Sequence, residues 1–327
     1  MKVRILLLLA LVGAGCGRDQ PKRLTVAVVP MGTTHEYWKS IHAGAVKAAR
    51  EEAVELIWKG PQKEDDRAQQ IAVVEDMIAR RVDGIVLAPL DGKGLRNPVA
   101  EARRAGIPAV IVDSDLDGDE HISFIATDNY QGGRLGARRL AESLGGRGSV
   151  LMMRVMVGAE STMRREQGFL DEMRQHAAIR VVSDNQYGGI TTETAYQTGE
   201  NLLNRFPAVD GVFCPNESTT FGMLRALTDA GKAGKIRFVG FDSSDKLIAA
   251  LGQRHLDGLV LQNPFRMGEL AVRTLARHLR DRGAPVEKRV DTGAVVATPA
   301  TMDQPDIRLL LAPPIEQYLG APPRKIE

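Results

Sequence analysis

From residue 24 onward, the chain alternates between short apolar runs and segments with helical periodicity. Ile71, Val74 and Ile78 recur near the spacing of one helix face, as do Leu140 and Leu144. The apolar runs lie at 24–30, 54–59, 84–89, 107–112, 122–126, 149–155, 179–183, 211–215, 236–241 and 258–262. Strands that are apolar throughout and separated by helices predict an α/β fold, with parallel sheets covered by helices on both faces.

The two halves of the sequence contain matching motifs. Asp83-Gly-Ile-Val in the first half corresponds to Asp210-Gly-Val-Phe in the second, 127 residues later. The next run of each half has the pattern I-x-x-V-x-x-D-S, which ends at Asp113-Ser114 and at Asp242-Ser243. Chance similarity of two buried strands explains the shared Ile and Val, but not the Asp-Ser that follows. We therefore predict two similar doubly wound parallel-sheet domains with a ligand cleft between them.

Length and charge narrow the class of protein. The chain has 327 residues, 43% hydrophobic and 26% charged, as in a folded protein of two domains. Its 43 Lys and Arg residues are nearly balanced by 41 Asp and Glu residues, and removal of Lys2 and Arg4 with a signal leaves no net charge. A chain without basic excess has no general attraction for a phosphate backbone, so nucleic acid is not expected as a partner.

The N-terminus resembles the signal of a bacterial lipoprotein. Lys2 and Arg4 precede an apolar run at 5–12, and small residues then lead to Cys16. This run is shorter than the roughly 20 residues that span a bilayer as a helix, which favours a signal peptide over a transmembrane anchor. We predict a signal peptide at 1–15, lipidation of Cys16, a tether at 16–23 and a body anchored by lipid at the periplasmic or extracytoplasmic face of a membrane in the cell envelope. Cleavage without lipidation is the alternative, because Gly13 stands where an aliphatic residue is usual.

Polar residues follow the predicted strands, at the edge where open parallel sheets bind ligands. They are Thr33-Thr34-His35, Asp113-Ser114, Asn216-Glu217, Asp242-Ser243 and Gln262-Asn263. Carboxylate, amide and guanidinium groups form paired hydrogen bonds with adjacent hydroxyl groups. If the two domains face each other, these residues line one cleft that suits a small polyhydroxylated molecule.

Two adjacent aromatic residues lie near the end of the first predicted strand. Tyr37 and Trp38 are in a first helix turn, where a flat ring can stack on the C–H face of a sugar. The alternative for Trp38 is a buried position on the helix face that contains Ile41 and Ala45.

Other residues with reactive side chains have structural explanations. Thr33 and Glu36 have the spacing of a capping box, which predicts the start of the first helix and gives Glu36 a structural role. His35 and His42 have no evident third ligand, so no metal site is expected. Cys214 lies inside an apolar run and is predicted to be an inert core thiol.

Motifs of nucleotide-binding and hydrolytic enzymes are missing from the sequence. The first strand–helix turn has no G-x-G-x-x-G, Gly92-Lys-Gly94 lacks the flanking residues of a phosphate loop, and no G-x-S-x-G occurs. Asp113 and Asp242 belong to different domains, and their amide and guanidinium neighbours suit binding better than proton transfer. We expect neither catalysis nor a cofactor.

Seven short motifs occur in order along residues 24–319. They are Val28-Val-Pro with His35-Glu-Tyr-Trp38, Ile107-Pro-Ala-Val-Ile-Val-Asp113, Ala126-Thr-Asp-Asn129 with Gly132-Gly133, Arg165-Glu-Gln-Gly-Phe169, Val212-Phe-Cys-Pro-Asn216, Val239-Gly-Phe-Asp242 and Leu261-Gln262. Together they resemble the ribose-type periplasmic sugar-binding proteins of ABC transporters, which have the type I periplasmic-binding fold. The resemblance implies two lobes joined by a three-segment hinge that closes around the ligand.

The resemblance also implies lobe boundaries and ligand contacts. It predicts an N-terminal lobe at 24–127 plus 263–291, a C-terminal lobe at 128–262 plus 292–319, and a tail at 320–327. The implied ligand-binding residues are His35, Tyr37, Trp38, Asp113, Ser114, Arg165, Asn216, Asp242 and Gln262. Structural alternatives stay open, with Asp113 and Asp242 as helix N-caps and Arg165 paired at the surface with Glu166.

The chain differs from the family's sugar binders at three places. His35 stands where Asn is frequent, Ser114 where Arg is frequent, and Tyr187-Gly-Gly-Ile190 where an aromatic residue is expected. One guanidinium group and one stacking ring are therefore missing. The resemblance implies the binding scaffold but not ribose as the ligand.

These inferences predict a monomeric solute-binding protein that captures a small polyhydroxylated ligand, a monosaccharide, for the permease subunits of an ABC importer. A sensory lipoprotein that presents its ligand to a receptor is the alternative within the fold. A sugar-responsive repressor shares the architecture but needs an N-terminal DNA-binding helix pair, and a signal is expected there instead.

Overall fold

A computed structural model describes residues 23–320 and contains two six-stranded sheets. Across the first sheet the strands are β2 (Glu55–Trp58), β1 (Thr25–Val29), β3 (Gly84–Leu87), β4 (Ala109–Val112), β5 (Ser123–Ala126) and β11 (Arg289–Asp291). All neighbouring strands in this sheet are parallel. The predicted signal peptide, Cys16 and most of the predicted tail lie outside the described residues.

The second sheet repeats the strand order of the first. Its strands are β7 (Ile179–Tyr187), β6 (Gly148–Arg154), β8 (Gly211–Phe213), β9 (Arg237–Phe241), β10 (Gly258–Leu261) and β12 (Val295–Ala297). Only β12 is antiparallel to its neighbour in this sheet. Strands β4 and β9, which contain the matching motifs, therefore occupy equivalent positions in the two sheets, in agreement with the repeat in the sequence.

Helices cover both faces of each sheet. The first lobe consists of the first sheet with α1 (Glu36–Glu51), α2 (Arg67–Ala79), α3 (Arg96–Arg104) and α9 (Pro264–Arg280). The second lobe consists of the second sheet with α4 (Asn129–Ser143), α5 (Glu160–Met173), α6 (Thr192–Arg205), α7 (Glu217–Asp229) and α8 (Asp245–Gly252). Two short helices follow, α10 (Pro305–Leu311) and α11 (Ile315–Leu319). Across residues 23–320, no helix combines the length and apolarity needed to cross a membrane.

Most strands are apolar throughout because both sheet faces are buried there, whereas β2 and β7 at the sheet edges are partly exposed. Val26 and Val28 of β1 pack with α1 and α9, whereas Ala27 and Val29 pack with α2 and α3 on the opposite face. In the second lobe Cys214 follows β8 in the core and is 0% exposed, as predicted. Burial raises the pKa of its thiol well above the ordinary value, which fits an inert side chain.

The chain passes between the sheets three times, at residues 127–128, 262–263 and 292–294. The predicted boundaries fall in these connections, and the two lobes as folding units stay a prediction. The C-terminal segment departs from the predicted division. Ile307 and Leu311 of α10 pack in the second lobe, but Tyr318 of α11 packs against Phe265 and Arg50 of the first. Pro313 and Pro314 lie where the helical segment breaks and the chain crosses back.

Candidate functional site

A cavity of about 50 Å³ lies between the two lobes. It adjoins the carboxyl ends of the strands, where a doubly wound sheet binds its ligand. Seven of the nine predicted binding residues line it, namely His35, Tyr37, Trp38, Asp113, Arg165, Asn216 and Asp242. Each water-sized sphere needs roughly 10–15 Å³, so a cavity of this volume holds only a few water molecules. The two lobes are therefore close together.

Asp113 and Asp242 occupy equivalent positions at the ends of β4 and β9. They are 3% and 6% exposed, and both have left-handed backbones, with φ of 65° and 66°. This conformation is uncommon outside glycine but is tolerated by Asp, and such positions concentrate at functional sites. Neither residue is a helix N-cap, because Asp113 is followed by β5 and the N-cap of α8 is Ser244. The N-cap alternative is therefore wrong.

Arg165 lies between the two aspartates. Its Nη2 is 3.9 Å from Oδ1 of Asp113, and its Nη1 is 3.8 Å from Oδ2 of Asp242. The side chain is 3% exposed, and its guanidinium carbon lies 4.1 Å from the ring centroid of Phe241. Glu166 pairs with Arg154 at 2.6 Å instead, so the predicted alternative of a surface pair between Arg165 and Glu166 is wrong.

Two glycines set the backbone position of Arg165. A Cβ at Gly133 of α4 would overlap the carbonyl oxygen of Arg165, and one at Gly168 of α5 would overlap the carbonyl oxygen of Tyr130. Only residues without a side chain allow α4 and α5 to approach this closely. Two hydrogen bonds then hold the guanidinium. Its Nε donates to Oδ1 of Asn129 at 2.8 Å, and its Nη1 donates to the carbonyl oxygen of Pro215 at 3.0 Å.

The two aromatic residues have different environments. The hydroxyl of Tyr37 donates to Oδ1 of Asp113 at 2.5 Å, and its ring lies edge-on to Trp38 with centroids 5.1 Å apart. Trp38 is 3% exposed and packs in the cluster that contains Ile41 and Ala45, yet it also lines the cavity. Trp38 is therefore buried on that helix face, as the alternative predicted, and its stacking on a ligand stays a prediction.

A charged cluster borders the cavity beside Trp38. Nδ1 of His35 lies 2.8 Å from Oε1 of Glu64, which also accepts a hydrogen bond from Nε1 of Trp38 at 2.6 Å. Burial lowers the pKa of His35, but the hydrogen bond and charge of Glu64, with the charges of Glu217 and Asp242, raise it to about 9. His35 is therefore a cation at neutral pH.

Two glutamates of the cavity wall, Glu64 and Glu217, were not among the nine ligand-binding residues that the resemblance implied, although Glu217 was among the strand-end residues expected to line the cleft. Glu217 follows Asn216 at a strand end, and this position is the feature of the sequence that indicates a place in the site. Glu64 lies in the connection between β2 and α2, far from any strand-end motif, so no pattern indicated it. Burial raises the pKa of Glu217 to about 7, although the charge of His35 lowers it.

The start of α1 differs from the predicted capping box. His35 is the N-cap and makes no side-chain cap, while Thr33 donates to the carbonyl oxygen of Pro61 at 3.3 Å. The carboxylate of Glu217, from the second lobe, instead interacts with the Tyr37 backbone N–H, which lowers the pKa of that carboxyl. An unpaired helix N-terminus attracts an anion, and here that anion comes from across the cleft.

Three further predicted positions have other neighbours. Asn216 lines the cavity but also caps α7, since its Oδ1 accepts the Thr219 N–H at 3.0 Å. Gln262 lines a second cavity of about 420 Å³, and its Nε2 donates to Oδ1 of Asp242 at 2.7 Å. Ser114 lines neither cavity and is 0% exposed. Gln262 is therefore placed to orient Asp242. Ser114, in contrast, is placed to join the two lobes.

An aliphatic residue occupies the position where the resemblance implied an aromatic one. Ile190 lines the cavity, whereas Tyr187 is 46% exposed.

Burial is the main cause that raises the pKa of Asp113 to about 6 and that of Asp242 above its usual range, and the charge of Arg165 opposes both shifts. Burial therefore makes ionisation of both carboxyl groups costly, and the charge of Arg165 offsets that cost only in part.

Comparison with known proteins places this geometry in a family. Residues 26–283 match the periplasmic binding protein domain. The D-ribose/D-allose-binding protein of Pseudomonas aeruginosa is 30% identical over 251 residues, which are 74% of this chain and 77% of that protein. The ribose import binding protein of Bacillus subtilis is 28% identical over 253 residues, which are 76% of this chain and 80% of that protein.

Solved structures agree. A carbohydrate transporter solute-binding protein from Agrobacterium radiobacter, in complex with D-arabinose, has a TM-score of 0.86 and 32% identity, covering 90% of this chain and 100% of that one. An ABC transporter solute-binding protein from Agrobacterium vitis with bound D-fucose has a TM-score of 0.84 and 34% identity, covering 88% and 100%. Since the family match spans most of the described residues, the chain belongs to the periplasmic binding protein family.

Proposed function

We propose that this protein is the solute-binding component of an ABC importer, and that it captures a monosaccharide by closing its two lobes. The central observation is the position of Arg165, a second-lobe residue within 4 Å of carboxylates from both lobes. A ligand that binds Asp113 and Asp242 together bridges the lobes and favours the closed state over the open one. The relatives named for ribose and allose, and the solved structures with bound D-arabinose and D-fucose, support a sugar as this ligand.

Each wall of the cavity has a distinct part in this proposal. The carboxylates of Asp113 and Asp242 accept hydrogen bonds from ligand hydroxyls, and Arg165 donates to a ring or hydroxyl oxygen between them. Tyr37, Trp38 and Ile190 supply apolar surface for the C–H face of the ring. The ligand is bound and released without any bond being made or broken, as in a transport protein.

We also propose an extracytoplasmic position with a lipid on Cys16, which lies outside the described residues. Family membership supports the extracytoplasmic position, and the small residues before Cys16 support the lipid. A Cys16→Ala variant should leave the membrane fraction while ligand affinity stays unchanged. Wild-type protein that is free in the periplasm and begins at another residue would rule out the lipid.

Titration calorimetry and small-angle X-ray scattering test the binding proposal. Mature protein is titrated with D-ribose, D-allose, D-arabinose and D-fucose, together with their amino-sugar analogues, and scattering is measured at saturation. We expect saturable binding of at least one sugar and a smaller radius of gyration in the bound protein. An unchanged radius at saturation would mean that one lobe binds alone, and no binding in the whole panel would contradict the sugar proposal.

A further inference from the structure

The charges around the cavity are unequal. Among the described residues, the lining contains four carboxylates, from Glu64, Asp113, Glu217 and Asp242, but only two cations, from His35 and Arg165. Buried charges are stable only when they are paired and hydrogen-bonded. The cavity wall therefore has an excess of negative charge that the described side chains lining it do not neutralise.

Three hydrogen-bond donors of the wall are already used within the protein. Nε1 of Trp38 and Nδ1 of His35 both point to Oε1 of Glu64, at 2.6 and 2.8 Å. The hydroxyl of Tyr37 donates to Asp113. These three groups are therefore not free to donate to a ligand.

Arg165 uses only part of its donor capacity within the protein. Its Nε donates to Oδ1 of Asn129 at 2.8 Å, and its Nη1 donates to the carbonyl oxygen of Pro215 at 3.0 Å. The carboxylates of Asp113 and Asp242 lie 3.9 and 3.8 Å away, beyond direct hydrogen bonds. The direct bonds of the guanidinium therefore go to neutral oxygens, and both aspartates retain acceptor capacity toward the cavity.

Glu217 has the clearest unused acceptor. Its Oε2 is buried and has no hydrogen-bond partner, although the residue lines the cavity. Its backbone N–H donates to Oδ2 of Asp242 at 3.3 Å, which places the two acidic residues side by side. Burial and the neighbouring carboxylates of Asp242 and Glu64 raise the pKa of Glu217, against the charge of His35, as expected where a counter-charge is lacking.

We propose that the preferred ligand is an amino sugar or amino polyol, whose protonated amino group binds at Glu217. This inference rests on the proposed sugar-binding function and specifies its substrate class. An ammonium group offers three donors and no acceptor, which matches a wall of unused acceptors, whereas a hydroxyl in the same place both donates and accepts. It also supplies the positive charge that the cavity lacks.

Matched sugars test this inference. Affinities are measured by calorimetry at pH 7 for D-glucosamine, D-galactosamine and D-mannosamine, for their neutral parents, and for the N-acetyl forms, which keep the nitrogen but remove the charge. We expect at least one amine to bind about tenfold or more tightly than its parent, which corresponds to about 1.4 kcal/mol. The N-acetyl form of that sugar should lose the advantage.

The outcomes separate this inference from the proposed function. Neutral sugars that bind and compact the protein, with every amine equal or weaker, would overturn the amino-group proposal and leave sugar capture intact. A panel in which neither amines nor neutral sugars bind would overturn both.

Two charge-matched variants locate the amino group. Glu217→Gln keeps the size of the side chain and an acceptor for the Tyr37 N–H, but removes the charge. We expect its ratio of amine to parent affinity to fall from about tenfold toward one. Glu193→Gln removes a carboxylate that is 75% exposed on α6 of the same lobe, and should leave the ratio unchanged. An undiminished ratio in Glu217→Gln would contradict the assigned position.

Discussion

The backbone N–H of Ser161 donates to Oγ of Ser114 at 3.2 Å, so the first turn of α5 in the second lobe is bonded to the end of β4 in the first. The opposite exchange occurs at α1, where the carboxylate of Glu217 in the second lobe interacts with the Tyr37 N–H. Each lobe therefore supplies an acceptor for a helix N-terminus of the other. Helix N-termini have N–H groups without partners in the helix, so both contacts favour the arrangement in which the lobes are close.

The first prediction concerns Ser114, which lies outside the cavity. Ser114→Ala removes the acceptor of the Ser161 N–H and should destabilise the closed state by about 0.5–1.5 kcal/mol. Because the ligand binds the closed state, affinity should fall roughly two- to tenfold for every sugar that binds, with their order unchanged. Titration of the sugar panel measures both effects.

Ser143→Ala is the matched control, since its hydroxyl donates to the carbonyl oxygen of Arg139 within α4. Its affinities should equal those of the wild type. A change in the order of sugars in Ser114→Ala would instead mean that Ser114 contacts the ligand, as the resemblance implied.

The second prediction concerns Asp113. Asparagine tolerates the left-handed backbone and keeps the shape, but it cannot form charge-assisted hydrogen bonds with ligand hydroxyls. Asp113→Asn should lower affinity roughly ten- to a hundredfold, from a loss of about 1.5–3 kcal/mol. Stability should not fall at pH 7, because a carboxyl group whose pKa burial raises to about 6 costs free energy when it ionises.

Calorimetry and thermal melting of the same preparation test this pair of effects. Asp303→Asn, an exposed aspartate outside the site, should change neither. Unchanged affinity with a clearly lower melting temperature in Asp113→Asn would make Asp113 a structural residue.

The sequence predicted much of this architecture because most of the ten predicted strands are apolar on both faces and bounded by polar turns. The two strands that it missed, β11 and β12, have three residues each and lie at sheet edges, where pairing depends on a neighbour rather than on a pattern. The site was predictable where residues follow strands. Glu64 and the Ser114–Ser161 bond depend on how distant segments meet, which one-dimensional patterns do not encode.

The third prediction concerns Gly133. A Cβ at this position would overlap the carbonyl oxygen of Arg165, so Gly133→Ala should separate α4 from α5 and displace the guanidinium. Overpacking of this kind costs about 1–3 kcal/mol of stability, and ligand affinity should fall with it. Gly252→Ala is the control, because its nearest neighbour is an ordinary contact with Met302 at 3.8 Å. That variant should keep full affinity, and equal affinity in Gly133→Ala would show that the close helix crossing does not position Arg165.

The last prediction concerns the pH dependence of stability through His35. Glu64, Glu217 and Asp242 hold its pKa at about 9 in the folded protein, against an ordinary value of 6.5. A group whose pKa is raised by folding stabilises the protein fully below its unfolded pKa and loses that contribution as pH rises through the folded pKa. The free energy of unfolding should therefore fall between about pH 6.5 and 9, by up to about 3 kcal/mol from this group.

Chemical denaturation from pH 6 to 9.5 measures this fall in wild type and in His35→Asn. Glu217 titrates near pH 7 and interacts with His35, so both proteins are also compared in a Glu217→Gln background, where that titration is absent. Glu64 remains in this background and is the nearest source of the raised pKa. The protein with His35 should lose stability across this range while the Asn variant loses less. Parallel curves in both backgrounds would mean that the imidazole is neutral beside Glu64, and the cavity would then contain one cation rather than two.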